Sequence, residues 1–384
     1  MVNVAIVGCG NISKFHVRGY QEFPEKCRIV ALCDIIPEKM DQTDAIFSLG
    51  NPRKFDDHQE MLAQMAGEID LVSVCTPPFC HAEIAINSLR AGCATLVEKP
   101  MAASLEECDE MLRAQKESGS LLSSIAQNRF RGPVQRLKKA LDSNLIGRVL
   151  HAQVDSHWWR GHSYYDLWWR GRWDKEGGGC TLNHAVHHID MLLWMMGLPE
   201  KVTAVISNAG HDNSEVEDIS IAALRYPKGT LAQITSSVIH HGERQQLIFQ
   251  GEKARISFPW ETVASVPAPS GFPIPDHELE AKINAFEAEL KHEGHTAQIE
   301  DVIDAIVEGR EPKVTGYDGR ASIELITAIY QSGSLDQTVA LPLGKDAPFY
   351  TVEGILEHAP RFFKKTTSLE ELGSEGIKVD EYKY

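Results

Sequence analysis

The sequence has no excess of basic residues, no paired cysteine spacing and no long apolar run, and each absence removes a class of function. Lys and Arg number 38 against 54 Asp and Glu, a formal charge of −16 over 384 residues. A chain of that sign repels phosphate backbones and anionic lipid, so neither a nucleic-acid nor a membrane partner is expected. A local basic pocket for a small anion remains compatible with it. The eight cysteines (Cys9, Cys27, Cys33, Cys75, Cys80, Cys93, Cys108 and Cys180) contain no C-x-x-C pair, and most lie in apolar runs such as residues 71–75. There a free thiol behaves as a small buried hydrophobe. Reduced thiols and a cytoplasmic protein are expected rather than a disulfide scaffold. The opening MVNVAIVGCG has no basic segment before an apolar stretch, which predicts no signal peptide. No apolar run approaches the ~18 residues of a membrane span. What is present is ordinary in bulk, 43% hydrophobic and 24% charged, and long enough for about two domains. One count is uneven: five of the seven Trp fall within residues 158–173, and a sixth is Trp194.

The first 125 residues alternate short apolar runs with helical periods. Strands are read at residues 4–7, 28–33, 71–75 and 94–97, and helices at 12–23, 37–47, 56–66, 81–91 and 104–118. Buried strands alternating with helices imply a doubly wound parallel sheet, an α/β domain. After about residue 147 the rhythm changes. Candidate strands at 148–158, 201–207, 219–226, 230–239, 244–250 and 254–258 are separated by turn signals such as Pro227-Lys228-Gly229 and suggest an antiparallel meander. One helix, about 182–196, interrupts the first two of them. Residues 261–280 read as a long loop. Helices follow up to Gly309 and over about 321–331, and the tail from 341 reads as a surface segment. The expected division is a dinucleotide-binding domain over 1–125, a substrate and oligomerisation domain over 126–340, and a C-terminal extension over 341–384.

The cofactor signal is Gly8-Cys9-Gly10-Asn11-Ile12-Ser13, which follows the first strand and opens the first helix. Gly8 permits a tight turn, and Gly10 lets backbone N–H groups approach a pyrophosphate at the helix N-terminus. Ser13 stands where the third glycine of the fingerprint falls. Asp34 ends the second strand, where a carboxylate accepts ribose hydroxyls, and the next residue is Ile35 rather than a cation. NAD is therefore expected over NADP; the alternative for Asp34 is a plain loop carboxylate. Two more loops leave strand ends, Cys75-Thr76-Pro77-Pro78 and Glu98-Lys99-Pro100. Lys99 lies where the ligand crevice of such a sheet should be, unless it is a solvated surface lysine.

Gly177-Gly178-Gly179 precedes a helical stretch in which Asn183 and His187 fall at i and i+4, on one face. Imidazole titrates nearest neutral pH, so His187 suits removal of a hydroxyl proton while the carbon loses hydride. His184, His187 and His188 also offer helical metal-ligand spacing, but no H-E-x-x-H motif or cysteine pair accompanies them, and no metal is expected.

Taken together and in order, these segments resemble the glucose–fructose oxidoreductase/inositol dehydrogenase/MocA (Gfo/Idh/MocA) family. The fingerprint, Glu98-Lys99-Pro100, the triple glycine with His187 and Asp190, and Gly309-Arg310-Glu311-Pro312-Lys313-Val314-Thr315-Gly316 all take part, over about residues 2–333. The resemblance implies a Rossmann domain plus a C-terminal α+β domain with a large, open, mostly antiparallel sheet. It also implies a homo-oligomer, dimer or tetramer, formed through that sheet. Lys99 matches the family's active-site lysine, and His187 the histidine of its Asp-x-x-x-His pair. Gly8, Gly10, Asn11, Ile12, Asp34, Thr76, Pro77, His81, Glu98, Lys99 and Asn128 are the cofactor positions it implies. Asn183 stands where many members carry Asp. An amide supplies no charge to raise the histidine, so Asn183 is expected to orient substrate or His187, as in sugar-oxidising members such as nucleotide-sugar and glycoside 3-dehydrogenases.

The tryptophan cluster lies just before the triple glycine. Aromatic faces stack on the C–H faces of sugar rings, while Arg, Asp and Tyr hydrogen-bond hydroxyls; Arg170 and Arg172 can instead clamp a phosphate or carboxylate. Rings filling a core or a subunit interface are the other reading. The substrate site is expected to comprise Lys99, Arg129, Tyr165, Trp169, Arg170, Arg172, Asn183 and His187. The function expected is NAD-dependent oxidation or reduction of a secondary hydroxyl on a pyranose sugar, glycoside or nucleotide sugar, with the third ring carbon as the candidate position. Two rivals share the scaffold: a redox-neutral enzyme that retains NAD, and a non-catalytic sensor of dinucleotide or sugar.

Overall fold

The computed structural model describes residues 1–369. The chain divides into two compact units, residues 1–131 with 290–323, and residues 132–289 with 324 onward.

Short apolar strands build the sheet of the first unit: β1 (Val2–Val7), β2 (Cys27–Cys33), β3 (Arg53–Phe55), β4 (Leu71–Val74), β5 (Ala94–Val97) and β6 (Leu122–Ser124). Every residue of β4 and β5 is buried, as a strand covered by helices on both faces requires. The six strands run parallel in the order β3-β2-β1-β4-β5-β6. That order reverses between β1 and β4, and doubly wound sheets bind ligands outside strand ends at such a point. Helix Ser13–Gln21 follows β1 directly.

Residues 290–323 belong with this sheet and not with the second domain, where the sequence reading put them. The reason is the apolar stripe of helix Gly294–Glu308: Ile299, Val302 and Ile303 are buried in one core with Val4, Ile6, Val17 and Tyr20. Periodicity announces such a stripe without saying which sheet it covers.

The second unit is built on nine strands: β7 (Val149–His157), β8 (Lys201–Ser207), β9 (Ile219–Arg225), β10 (Leu231–Ser237), β11 (Gln245–Gly251), β12 (Ala254–Phe258), β13 (Glu261–Pro267), β14 (Pro273–Pro275) and β15 (Val339–Ala340). Their order is β14-β13-β12-β11-β7-β10-β9-β8-β15, and only β7 with β10 pairs parallel. In β8 and β9 burial alternates residue by residue, the mark of a sheet with one covered face.

Three expectations change. Residues 261–280 are not a loop but β13, β14 and the start of helix His277–Asn284, whose N-terminus Asp276 caps through Leu279 N–H at 3.0 Å. The helix of 182–196 is two, Cys180–Asn183 and Val186–Met196, separated at His184 and Ala185. The described part of the tail, 341–369, is not simply a surface segment, since Phe349, Tyr350, Ile355 and Ala359 are buried; 370–384 lie outside the described residues. All eight cysteines are free, seven of them buried. No helix among the described residues is long and apolar enough to cross a membrane.

Candidate functional site

In the first unit, the loop after β1 lies against the loop after β4. A Cβ on Gly8, whose φ is +92°, would sit 2.7 Å from the Cys75 carbonyl carbon, so close approach of backbone demands glycine there. A Cβ on Gly10 would meet nothing within 4 Å; the packing itself makes no demand at that position. Helix Ser13–Gln21 starts without a side-chain cap at Ile12, leaving its first N–H groups to other partners. Ser13 is buried and donates to the Gly10 carbonyl at 2.7 Å, filling the third-glycine position without a gap. Asn11 is exposed beside Lys14 (3.3 Å). Asp34 accepts the N–H groups of Cys9 (2.7 Å) and Ile36 (2.9 Å), one on each oxygen, which fixes the carboxylate at the end of β2 with a lone pair left on each. Ile35 beyond it is exposed.

Across the switch point, the Thr76 hydroxyl oxygen is buried and has no hydrogen-bond partner. An orphaned buried hydroxyl, an uncapped helix N-terminus and an unobstructed Gly10 are features that a bound dinucleotide would complete. The residues therefore fit the cofactor. Pro77 leads into the turn Pro78–Cys80, and His81 behind it is buried, its ring nitrogens against the carbonyls of Pro100 (2.8 Å) and Thr76 (2.7 Å). His81 thus sits between the loops that follow β4 and β5 and, when neutral, can donate to only one of these two carbonyls. Burial lowers its pKa. Asn128 is half-buried in the turn Gln127–Phe130. Arg129, expected on substrate, is 4% exposed and donates to Asp318 at 2.9 Å.

Glu98 is also buried, beneath Lys99. Its Oε1 takes His16 Nε2 at 2.9 Å and His295 Nε2 at 3.2 Å, and its Oε2 takes the Lys99 N–H at 3.0 Å. Burial alone would raise this carboxyl, yet the hydrogen bonds from both imidazoles hold it well below the usual carboxylate range. On the far side of His16, Ser73 Oγ lies 3.2 Å from Nδ1 and 2.6 Å from the Tyr20 hydroxyl. One assignment satisfies the chain: Tyr20 donates to Ser73, Ser73 to His16, and His16 to Glu98. Among the described residues, these two histidines and Glu98 are also the one group with metal-ligand proximity, all donor atoms within 4.8 Å; the spacings are those of N–H···O bonds, and the group is satisfied without an ion. The trio His184, His187 and His188 forms no such group among the described residues. Burial also lowers the His295 pKa, and the Lys99 charge adds a smaller push in the same direction at both His81 and His295. His295 carries no motif that a single sequence could announce.

In the second unit, the triple glycine has a structural cause. A Cβ on Gly178 would lie 2.3 Å from the Tyr330 hydroxyl, and one on Gly179 would lie 1.9 Å from the Glu217 carbonyl oxygen. Beneath the loop, the wholly buried Glu217 carboxylate accepts Gly179 N–H (3.0 Å), Thr181 N–H (2.9 Å) and Tyr330 O–H (2.9 Å). Burial pushes its pKa up to about 7. Glu217 was not expected from the sequence; its only signal is a carboxylate among residues that flank a strand with one covered face.

The break at His184 and Ala185 removes the single-helix argument for Asn183 and His187. Even so, across residues 180–193 every position is buried except those two. Asn183 Nδ2 donates to the carbonyls of Gly178 (3.1 Å) and Gly179 (3.3 Å). His188 is turned inward, Nδ1 on Ser156 Oγ at 2.9 Å, and Trp158 shares that hydroxyl at 3.0 Å.

The aromatic loop is mixed. Trp158 and Trp173 are buried, Trp159 is exposed, and Trp168 and Trp169 are half-buried. Tyr165, expected on substrate, is 1% exposed and packs edge-on against His211 at 4.8 Å. Arg170 lies over the rings of Tyr164 (4.1 Å) and Trp169 (4.2 Å) and donates to the buried Glu176 at 2.8 Å. Arg172 makes a two-point bond to Asp174, both at 2.8 Å. Each arginine thus has a carboxylate partner in the short helix Trp173–Glu176 that follows the loop.

Residues 2–125 match the oxidoreductase family with an NAD-binding Rossmann fold, and residues 134–257 match the GFO/IDH/MocA C-terminal domain. The chain belongs to the GFO/IDH/MocA family. The six-stranded parallel sheet and the mixed nine-stranded sheet are the architecture of its structural neighbours. The WlbA dehydrogenase of Bordetella pertussis, solved with NADH and UDP-GlcNAcA, is 30% identical with a TM-score of 0.78, over 89% of this chain and 98% of that one. Inositol 2-dehydrogenase of Rhizobium meliloti is 26% identical, over 86% of this chain and 96% of its own. Also similar is 2,7-anhydro-N-acetylneuraminate hydratase of Mediterraneibacter gnavus, 28% identical over 49% of this chain and 51% of its own, so the match spans about half its length.

Proposed function

We propose that the chain is an NAD-dependent oxidoreductase of a secondary hydroxyl on a pyranose sugar, glycoside or nucleotide sugar, acting in the cytoplasm, with the third ring carbon as the candidate site. The observation that carries this reading is the pattern over residues 180–193, where burial spares only Asn183 and His187. A stretch that hides its apolar side chains and both neighbouring histidines, yet leaves an imidazole and an amide accessible, is suited to chemistry on a ligand. The support from outside is the kinship with a dehydrogenase that binds NADH and a nucleotide sugar.

NAD, when bound, supplies the hydride acceptor. Gly10 and the start of helix Ser13–Gln21 would hold its pyrophosphate, and Asp34 its ribose hydroxyls through the lone pairs that Cys9 and Ile36 leave unused. A 2′-phosphate would meet that carboxylate with the uncharged Ile35 beside it, which supports NAD over NADP. His187 takes the proton from the substrate hydroxyl as general base. Lys99 holds that oxygen and stabilises its developing charge. Asn183, whose amide donates to two glycine carbonyls and is thereby held in place, orients the substrate or His187 by hydrogen bonding. Trp169 offers a ring face. Because Arg170 and Arg172 are paired with Glu176 and Asp174, sugar recognition by this loop is better served by stacking and hydroxyl bonds than by a phosphate clamp. A homo-oligomer through the second sheet is supported by the exposed apolar Val205, Ile221 and Leu231, the first two being cross-strand partners.

The hydratase kinship favours one second reading, a redox-neutral reaction in which NAD is reduced and reoxidised within one turnover. A panel of free sugars, glycosides, nucleotide sugars and polyols, followed by NADH absorbance and mass spectrometry, separates the two. Net NADH with an oxidised sugar supports the dehydrogenase. Product of unchanged oxidation state without net NADH supports the alternative.

A further inference from the structure

We propose that residues 360–369, at the end of the described chain, brace the aromatic loop and through it the segment that carries Asn183. The inference rests on the reading of that loop as part of a sugar site.

The loop of residues 158–173 has little regular structure of its own, only the short turn His162–Asp166, so its backbone groups need partners from elsewhere. The tail supplies them. Trp173 Nε1 donates to the Pro360 carbonyl at 2.9 Å, and Phe362 N–H donates to the Glu215 carbonyl at 3.1 Å. The Lys365 ammonium donates to the Tyr165 carbonyl. Leu369 then closes the contact: its N–H donates to the Asp166 carbonyl at 2.8 Å, and its own carbonyl accepts Trp168 N–H at 2.9 Å. Leu167 and Leu369 thereby form a short parallel bridge. Upstream, helix Val352–His358 packs on helix Trp173–Glu176, capped by the Thr351 hydroxyl through Gly354 N–H at 3.0 Å. Lys365 is half-buried, facing Asp166, Glu176 and Glu215 on its attractive side and Arg172 on the other.

From there the path inward is continuous. The buried Trp173 ring meets Tyr330 edge-on at 5.1 Å. The Tyr330 hydroxyl donates to Glu217 and accepts Gly179 N–H (3.1 Å) and Leu182 N–H (3.2 Å), the groups that set the helix ending in Asn183. Pro360, Trp173 and Tyr330 thus link the tail to the accessible amide within one compact unit. Residues 360–369 are positioning residues: none is required to touch substrate.

The test compares the full chain with a truncation after Ala359 and with Lys365→Met and Lys365→Arg, using methyl β-D-glucopyranoside and UDP-GlcNAcA as probes. Truncation is expected to speed amide exchange over residues 165–172 by about tenfold or more. It should raise the sugar KM by about tenfold while NADH affinity changes by less than about twofold. Lys365→Met should show the same pattern at smaller amplitude and Lys365→Arg should restore it, which decides the matter if the truncated chain does not fold. Unchanged exchange in these variants overturns the brace, whatever the substrate proves to be. Faster exchange with an unchanged sugar KM overturns its role in the site. If the intact protein oxidises neither probe, the function reading fails, while exchange still judges the brace.

Discussion

Gly179 and Glu217 approach so closely that a single Cβ at 179 would lie 1.9 Å from the Glu217 carbonyl oxygen, while the Gly179 N–H bonds to the same residue's carboxylate at 3.0 Å. The glycine run is therefore a packing requirement set from below, and its effect on function is indirect: it seats the short helix that ends in Asn183. Gly179→Ala cannot be relieved by a side-chain rotation, because the atom it strikes is backbone. We expect a loss of about 3 kcal/mol or more in urea unfolding, or no folded protein. Wild-type stability in this variant would contradict the packing argument.

Glu217 gives that site a pH signature. Burial raises its pKa from 4.5 to about 7, so the folded state binds its proton more tightly than the unfolded chain does. The contribution to stability is full below about pH 4.5 and is lost as pH rises through about 7. The magnitude is on the order of 3 kcal/mol from the size of the shift. Glu217→Gln lacks the titration, so unfolding free energy measured across that window should slope less steeply downward than in wild type. Parallel slopes would contradict the assignment.

The pair His295 and Glu98 predicts the opposite sign. Glu98 is held below its ordinary range, so its contribution is present above the unfolded carboxyl pKa and is lost as pH falls through the lower folded value. His295→Phe removes one of its donors. The acid unfolding midpoint should move to higher pH, and His295→Gln, which keeps an N–H, should recover most of the shift. An unmoved midpoint in His295→Phe would show that His16 alone sets the carboxylate.

Gly8 and Gly10 separate folding from ligand binding. Gly8→Ala meets the Cys75 backbone and should destabilise by roughly 2 kcal/mol, whereas a Cβ at Gly10 meets nothing within 4 Å. Gly10→Ala should melt near wild type yet bind NADH about tenfold or more weakly, because the methyl occupies the approach to the helix N-terminus. Equal affinity for NADH in Gly10→Ala would remove the pyrophosphate from that turn.

Much of this was legible in residue types. The parallel sheet followed from runs buried on both faces, and the positions of the loops at the strand ends from their glycine and proline. The aromatic loop was visible as composition, but not the division of labour within it. Nothing local says that Tyr165 turns inward or that Arg170 and Arg172 each meet a carboxylate in the next turn. The helix break at His184 was hidden because the apolar period runs straight through it. Glu217, Tyr330 and His295 were missed for one physical reason: each acts through partners dozens to hundreds of residues away, at separations such as 38, 151 and 197. The place of Asp34 at the end of β2, by contrast, was legible because strand, turn and carboxylate fall within one βαβ unit.

The central claim is that His187 and Lys99 perform the proton chemistry of hydride transfer between a sugar hydroxyl and NAD. Its most direct test is single-turnover NADH formation by His187→Ala and Lys99→Ala, with enzyme and NAD in excess over the best sugar of the panel. The account predicts that each variant retains NADH affinity and slows the transfer step by about a hundredfold or more. Near-normal transfer in both variants would contradict it.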